Sequence, residues 1–354
     1  MLRLLLAASV VAHHTSPFFG TLSLVGGKLA VQAFYVMSGF YMALIIPNKY
    51  ASPSKFYASR FFRLYPLYIT CILLSLFCKL YFGILKSMGS LPLGAKIFIV
   101  FTNITSLAQD WIYFISVDKS GYLTFVESVF NTHPKLFDYL LVPQAWSLGI
   151  EISFYVLAPF LLRLKTPLLA VVAILSILLR IYLVRHGWNY DPWTYRFFPT
   201  ELVFFLGGAI GCRLSKYYYR MPQTVSFVSI TMLFILTLLK PWTSLVGDYC
   251  YLSIFTFVLP CLFIFSKSSL ADRQIGNLSY GIYLVHLAIA LFISSEFSKF
   301  DLAIPKNYFG IFVFCLSVAF AWLFDHFIQD KIDIFRHHFS RVHINPTTVP
   351  LGVK

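Results

Sequence analysis

Two ionisable side chains, Arg3 and His14, lie eleven residues apart in the first apolar stretch of the sequence. Eleven residues make almost three turns of an α-helix, so both side chains share one helix face, whereas His13 is turned about 100° away from it. An ionisable side chain facing lipid costs about 2.5–3.5 kcal/mol, so such groups normally face a protein interior or a wet cavity. The pattern predicts a reacting imidazole held about 16 Å along the helix axis from a guanidinium group.

A pair of arginines, Arg60 and Arg63, stands in the segment Arg-Phe-Phe-Arg-Leu-Tyr-Pro. Residues at i and i+3 are neighbours on a helix surface, so the two guanidinium groups share a face. Guanidinium groups bind phosphate oxygens through paired hydrogen bonds. Basic residues beside a membrane span also fix its orientation. The sequence leaves open whether this pair binds phosphate or anchors the span.

A carboxylic acid, Glu151, recurs with Ser147 and Tyr155 at intervals of four residues, just after Trp146. This spacing places the three side chains on one helix face. The surrounding sequence is otherwise apolar. Because carboxyl groups at membrane depth are rare and costly, the pattern favours a functional role for Glu151.

Two further segments combine polar side chains with apolar surroundings. Ser38 precedes a glycine in Phe-Tyr-Val-Met-Ser-Gly-Phe, where the small residues could serve only to let helices pack closely. Ser279, Tyr283 and His286 line one helix face, which we expect at the cytoplasmic end of its span. A lone histidine in such a position is more often a hydrogen-bonded interior group than a reacting one.

The composition indicates the class of protein that must position these side chains. The chain has 354 residues, of which 58% are hydrophobic and only 12% charged, and its mean hydropathy is +0.75. Soluble domains carry about 25% charged residues, so we predict an all-α polytopic protein of the lipid bilayer. The net charge of +14 comes mostly from short loops between apolar runs, as the positive-inside bias produces. We therefore expect no nucleic-acid partner.

Ten apolar runs of about 20 residues, the length that crosses a bilayer, predict about ten transmembrane helices. They lie near residues 2–19, 29–47, 65–85, 146–163, 167–184, 199–214, 224–240, 249–266, 281–296 and 308–327. The first run contains Arg3 and His14 and lacks a small-residue cleavage site, so we expect a retained span rather than a cleaved signal peptide.

The orientation of the spans depends on an eleventh run, residues 97–115, which contains several polar side chains, Asp110 among them. The later clusters of Lys and Arg all fall on the same side as the loop with Arg60 and Arg63 only if this run does not cross the bilayer. We therefore predict that the N-terminus and the C-terminus are both cytoplasmic and that residues 86–145 form a long external loop.

The sequence predicts one domain, because no internal repeat or low-complexity linker divides it. Residues 1–330 are predicted to form this membrane domain, and residues 331–354 a short cytoplasmic C-terminal tail. The six cysteines are scattered without the spacing of metal ligands, so we predict no metal site.

Taken together, the polar segments resemble the integral-membrane acyltransferase-3 family, which O-acylates bacterial surface polysaccharides and other extracytoplasmic acceptors. Five motifs occur in the family's order between residues 3 and 286. They are the Arg…His of the first span, aromatic-x-x-Ser-Gly-Phe, Arg-x-x-Arg-x-x-Pro, Trp-Ser-Leu-x-x-Glu-x-x-Phe-Tyr and Ser-Tyr-x-x-Tyr-Leu-x-His. Arg196, followed eleven residues later by Gly207, looks like a further arginine-to-glycine segment of the family.

The resemblance implies acyl transfer, most simply of acetyl, from acetyl-CoA to a hydroxyl of a glycan. His14 would be the general base or would form an acyl-histidine. Glu151, near the external mouth, would orient the acceptor or the imidazole. Arg60 and Arg63 would hold the donor's phosphates, and Arg3 would guide the donor's anionic portion or stabilise charge on the thioester oxygen.

The resemblance also implies the substrates and the location. Acetyl-CoA would be a co-substrate rather than a permanently bound cofactor, and the acceptor a surface polysaccharide such as the lipopolysaccharide O-antigen. The location would be the bacterial cytoplasmic (inner) membrane. The implied catalytic residues are His14 and Glu151. The implied substrate-binding residues are Arg3, Ser38, Arg60, Arg63, Trp146, Ser147, Tyr283 and His286.

Buried arginine, histidine and glutamate would also suit a secondary transporter or channel for a small anionic solute, and this alternative stays open. The sequence shows no inverted repeat and no matching pair of broken helices, which many transporters contain. A membrane scaffold would not need five polar clusters at membrane depth.

Overall fold

The structure is a computed structural model that describes residues 1–50, 52–81, 86–239, 244–301 and 304–340. These residues are mostly helical, and their helices are α1 (Leu2–His14), α2 (Gly27–Lys49), α3 (Pro53–Tyr81), α4 (Leu93–Thr105), α5 (Trp146–Leu161), α6 (Thr166–Arg185), α7 (Phe198–Tyr218), α8 (Gln223–Leu239), α9 (Leu245–Ser266), α10 (Leu270–Lys299), α11 (Lys306–Phe324) and α12 (Asp330–Ser340). One small hairpin of β1 (Ile115–Val117) and β2 (Leu123–Phe125) pairs antiparallel, with Ser116 opposite Thr124.

The helices confirm a polytopic, helical membrane protein. Within the described part of the chain, six helices are long and apolar enough to cross a bilayer: α2, α3, α6, α9, α10 and the continuous segment of α11 and α12. Helices α1, α4 and α8 are apolar but shorter. Each of the ten predicted spans contains one helix. The prediction that the chain crosses the bilayer ten times, with both termini in the cytoplasm, remains a prediction.

Helix α1 is shorter than the predicted span of residues 2–19, because it ends at His14. Pro17 follows, and a proline disfavours helical backbone in the residue before it. A helix of thirteen residues is about 20 Å long, less than the roughly 30 Å of a bilayer's hydrocarbon core. If Leu2 lies at one membrane surface, His14 therefore lies within the membrane.

Helices α2 and α7 are in backbone contact in the centre of the bundle. A Cβ atom on Gly39 would lie 1.8 Å from the Phe205 carbonyl oxygen, and one on Gly208 would lie 1.9 Å from the Val36 oxygen. Only glycine fits at both positions, as is usual where membrane helices approach closely. The packing interpretation of the Ser-Gly pair is thus correct for Gly39, which fixes α2 and the neighbouring Ser38 against the core.

Residues 97–115 do not form one long helix. Helix α4 ends at Thr105, and the chain turns through Ser106 and Ala108, both with left-handed backbone (φ 54° and 57°). The Tyr68 hydroxyl of α3 donates a hydrogen bond to the Asn103 carbonyl (2.6 Å). The polar residues of this run therefore shape a helix and turn that pack against α3.

The predicted tail is in part a packed helix. Helix α12 lies against α3, where the Asp333 carboxylate is 3.7 Å from Arg63 and 3.1 Å from Arg336. It continues from α11 through a π-helical turn, Asp325–Gln329. The tail prediction for residues 341–354 lies outside the described residues.

Candidate active site

Two histidines from distant parts of the sequence form a dyad. The Nδ1 atom of His14, at the end of α1, lies 2.8 Å from Nε2 of His286, and the two rings are nearly parallel. His286 is completely buried, whereas the side chain of His14 is partly open at the end of α1. The expected position of His286 at the cytoplasmic end of its span was wrong, because it lies near the middle of α10, at the level where the short helix α1 ends.

The hydrogen bonds of the dyad determine which nitrogen of His14 is free. Nδ1 of His286 lies 2.8 Å from the Tyr283 carbonyl oxygen, which only accepts, so this nitrogen carries the proton. In a neutral His286 the other nitrogen, Nε2, is then the acceptor, and Nδ1–H of His14 donates to it. The remaining nitrogen of His14, Nε2, keeps an unshared electron pair. His14 is therefore arranged as a base or nucleophile.

Ser147 and Tyr283 belong to a hydrogen-bond network that holds the dyad in place. The Ser147 hydroxyl lies 2.6 Å from the Tyr283 hydroxyl, which donates to the Gln144 carbonyl at 2.7 Å. The Gln144 side chain donates in turn to the Leu284 carbonyl. These contacts join α5 to α10 and hold the backbone that accepts from His286. Gln144 was not among the predicted site residues, although a polar residue in an apolar run beside Trp146 was a usable signal.

Glu151 has hydrogen-bond partners on α2 and on its own helix. Its carboxylate accepts hydrogen bonds from Ser38 (2.8 Å) and from Tyr155, not from a histidine. A Cβ on Gly27, at the start of α2, would touch the His13 ring, whereas Ser38 is eleven residues, or about 16 Å, further along α2. The expectation that Glu151 orients the imidazole was wrong, because its carboxylate contacts Ser38 and Tyr155 instead. These contacts do not test its expected place near the external mouth or a role in orienting the acceptor.

Arg3 lies at the opposite end of α1 from His14. Its guanidinium carbon is 4.4 Å from the centroid of the Tyr41 ring, and its side chain passes beside Gly276 of α10. Eleven residues of helix place it about 16 Å from the level of His14. Arg3 cannot reach an oxygen that reacts at His14, so the expectation that it stabilises the thioester oxygen was wrong. Its position remains suited to guiding an anionic donor.

Arg60 and Arg63 share a helix face but have different partners. Arg63 donates to the Asn277 side chain at 3.0 Å, whereas Arg60 lies 3.5 Å from the Tyr50 hydroxyl and leaves its buried Nε without a hydrogen bond to any described residue. Arg3 and Arg60 are both within electrostatic range of Arg63. We call these three residues the arginine cluster. It concentrates positive charge where α1, α3 and α10 begin.

Trp146 packs against a cation, Arg196, that was not among the predicted site residues. The Arg196 guanidinium carbon lies 4.2 Å from the Trp146 ring centroid and 4.0 Å from that of Tyr113. Trp146 is 5% exposed, so its ring supports Arg196 more than it offers an open binding surface. Burial lowers the pKa of Arg196, but Tyr113 and Asp191 outweigh this effect and raise it above its ordinary value. Arg196 is therefore charged, and it lies within electrostatic range of His14.

A buried ion pair between α6 and α7 was also missed. Arg180 donates to the Glu201 carboxylate at 2.7 Å, and the Gln32 amide donates to both oxygens of that carboxylate at 3.1 and 3.2 Å. Arg180 is 6% exposed and Glu201 is fully buried. Each of these two charged residues lies within an apolar run, and this pattern indicates a polar partner at membrane depth.

The polar residues thus form three levels between the ends of the bundle: the histidine dyad, the cluster of Ser38, Glu151 and Tyr155, and the arginine cluster. Among the described residues, no three or more His, Cys, Asp or Glu side chains are placed to hold a metal ion. The arrangement places an exposed imidazole at one end and a group of arginines at the other.

Comparisons with known proteins identify the family of the chain. The model of an acyltransferase domain, that of the acyltransferase-3 family, matches residues 1–326. An uncharacterized protein of Aquifex aeolicus (strain VF5) is 27% identical over 214 residues, which are 56% of this chain and 91% of that protein. No solved structure matches the chain. Because the family model covers almost the whole chain, the protein is a membrane acyltransferase and belongs to the acyltransferase-3 family.

Proposed function

We propose that the protein transfers an acetyl group from acetyl-CoA to a hydroxyl of an extracytoplasmic glycan, such as a bacterial surface polysaccharide, at the inner membrane. The observation that carries the proposal is the His14–His286 dyad, which leaves Nε2 of His14 unprotonated and accessible. We further propose ten crossings with both termini cytoplasmic. The arginine cluster then faces the compartment that supplies acetyl-CoA.

The reaction follows from the free nitrogen of His14. Nε2 takes the proton of the acceptor hydroxyl while the hydroxyl oxygen attacks the thioester carbon. The tetrahedral intermediate then breaks its carbon–sulfur bond, and the leaving thiolate takes the proton back from the imidazolium. Removing the hydroxyl proton in the transition state contributes about 10²–10⁴-fold in rate. An acyl-histidine intermediate would use the same nitrogen.

The three polar levels suit the shape of the donor. Coenzyme A carries phosphates at one end and the thioester at the other, joined by a flexible arm with two amides. Guanidinium groups of the arginine cluster bind phosphates, and the arm extends along α1. Glu151 lies between the two ends, where its carboxylate can accept hydrogen bonds from amide N–H groups. The thioester then reaches His14.

The proposal is tested with purified protein in liposomes, using radiolabelled acetyl-CoA and an isolated, de-O-acetylated surface polysaccharide. We expect label in the polysaccharide. Uptake of a small anion into the liposomes without any transfer of label would instead establish the transporter alternative. Comparing the acetyl content of surface polysaccharide from cells with and without the gene identifies the natural acceptor.

Arg60→Ala and Arg63→Ala are each expected to raise KM for acetyl-CoA by roughly 10–100-fold with little change in kcat, because each removes charged hydrogen bonds worth about 1.5–3 kcal/mol. Lysine is expected to replace arginine poorly, since it cannot form paired hydrogen bonds. Steady-state kinetics at varied acetyl-CoA measures both effects. Lys55→Ala, at an exposed residue at the start of α3, is the matched control. Lysine variants that equal the wild type would mean that the pair only anchors the span.

Glu151→Gln is expected to weaken donor binding rather than acceptor turnover, because its carboxylate contacts Ser38 and Tyr155 and neither histidine of the dyad. We expect KM for acetyl-CoA to rise roughly 10-fold or more, because one charged hydrogen bond to the donor is lost. Ser153→Ala on the same helix, whose hydroxyl only donates to the Gly149 carbonyl, is the control. An unchanged KM for the donor combined with a raised KM for the polysaccharide would place Glu151 on the acceptor side.

A further inference from the structure

Arg196 is held in one orientation by three segments of the chain. Its guanidinium group packs against the rings of Tyr113 and Trp146. Its Nε–H donates to both carboxylate oxygens of Asp191, at 2.8 and 3.0 Å. Aromatic packing and a charged hydrogen bond together remove most of the freedom of this long side chain. The terminal nitrogens of Arg196 therefore occupy fixed positions.

One of these nitrogens has no hydrogen-bond partner in the described part of the chain. Nη1 of Arg196 is buried and makes no hydrogen bond to any residue that the structure describes. Leaving a buried donor unsatisfied costs about 1–3 kcal/mol, and more for a charged group, so such donors are rare unless they have a function. Arg196 packs on Trp146, and the next residue, Ser147, has its hydroxyl 2.6 Å from the hydroxyl of Tyr283, which supports the dyad. The unpaired donor thus belongs to the surroundings of the dyad.

Acyl transfer needs such a donor. When the acceptor oxygen attacks the thioester carbon, the carbonyl oxygen becomes an oxyanion, and fixed hydrogen-bond donors at that position stabilise the transition state. Arg3 lies about 16 Å along α1 from the dyad, and Arg60 and Arg63 lie with Arg3 in the arginine cluster. These three arginines cannot reach the reacting carbonyl.

We propose that Nη1 of Arg196 donates a hydrogen bond to the thioester carbonyl oxygen and stabilises the oxyanion during transfer. In this step the hydroxyl proton moves to Nε2 of His14, the new carbon–oxygen bond forms, and the carbonyl electron pair moves onto the oxygen beside Arg196. When the carbonyl re-forms, the carbon–sulfur bond breaks and the thiolate leaves with the proton from His14. The proposal rests on the acetyl transfer proposed above.

The test measures kcat, KM for both substrates and binding of acetyl-CoA for Arg196→Gln and Arg196→Lys. An interaction made mainly in the transition state lowers kcat without weakening donor binding. Removal of one oxyanion donor costs about 10²–10³-fold in kcat, and we expect that loss in Arg196→Gln with unchanged affinity for acetyl-CoA. Arg185→Gln, an exposed arginine at the end of α6, is the matched control and should retain full activity.

Chemical rescue separates the proposed role from a structural one. Adding guanidinium ion to the purified Arg196→Ala variant should restore part of its activity, which a protein damaged in its packing would not recover. Full kcat in Arg196→Gln, or normal kcat with a raised KM for the polysaccharide, would overturn the proposal and assign Arg196 to structure or to acceptor binding. If the wild type itself transfers no acetyl group, the proposed function fails instead.

Discussion

His14→Ala is expected to abolish acetyl transfer while the protein still inserts into the membrane and folds. The loss should reach at least the 10²–10⁴-fold contributed by a general base, because Nε2 of His14 is the free nitrogen of the dyad. Folding should survive, since the side chain is exposed at the last residue of α1. Transfer of label from acetyl-CoA measures the loss, and detergent-solubilised yield and thermal unfolding verify the fold.

His13→Ala is the matched control and should keep most of the activity, because the His13 ring packs beside Gly27 and is not part of the dyad. The same assay tests which ring nitrogen of His286 accepts the hydrogen bond from His14. A glutamine at position 286 can still accept from Nδ1–H of His14 through its side-chain oxygen, so His286→Gln should retain more activity than His286→Leu. Equal losses in the His13 and His14 variants would refute the assignment of the base.

Glu201→Leu is expected to destabilise the protein by about 3–5 kcal/mol, because it leaves the charge of Arg180 buried without its carboxylate partner. The double variant Arg180→Met with Glu201→Leu should recover most of this loss, since replacing both members of a buried ion pair by apolar residues is often neutral. Thermal or denaturant unfolding in one detergent compares the wild type, both single variants and the double variant.

This double-variant comparison distinguishes a structural ion pair from a functional one. If the pair is structural, the double variant regains both stability and acetyl transfer. A double variant that is stable but inactive would mean that the charges of Arg180 and Glu201 serve the reaction. A double variant as unstable as Glu201→Leu would contradict the ion-pair argument, because the unpaired charge would then not be the cause.

Local spacing was enough to find several residues of the site. A histidine and an arginine within one apolar run identified α1 and its polar face, and Ser147, Tyr283 and His286 do meet in one network with His14. Apolar run length likewise located a helix in each predicted span. These features are encoded within single segments, where helix periodicity and the cost of burying polar groups act directly.

The errors arose where contacts between distant segments decide the structure. The spacing of Glu151 with Ser147 and Tyr155 shows which side chains share a face but not which residue of another helix faces them, so its contact with Ser38 was not predicted. Arg196 gained its role from Tyr113, Trp146 and Asp191. Two of these are more than 45 residues away from it in the sequence. No local pattern reports that three segments converge on one guanidinium group.

The contact between Gly39 and Phe205 has a mechanical consequence. Two helices whose backbones touch at Gly39 and again at Gly208 cannot slide or tilt against each other without a steric clash. Helices α2 and α7 therefore move as one rigid body. We expect any motion that opens the bundle to involve other helices, such as α1, α3 and α10, which carry the dyad and the arginine cluster.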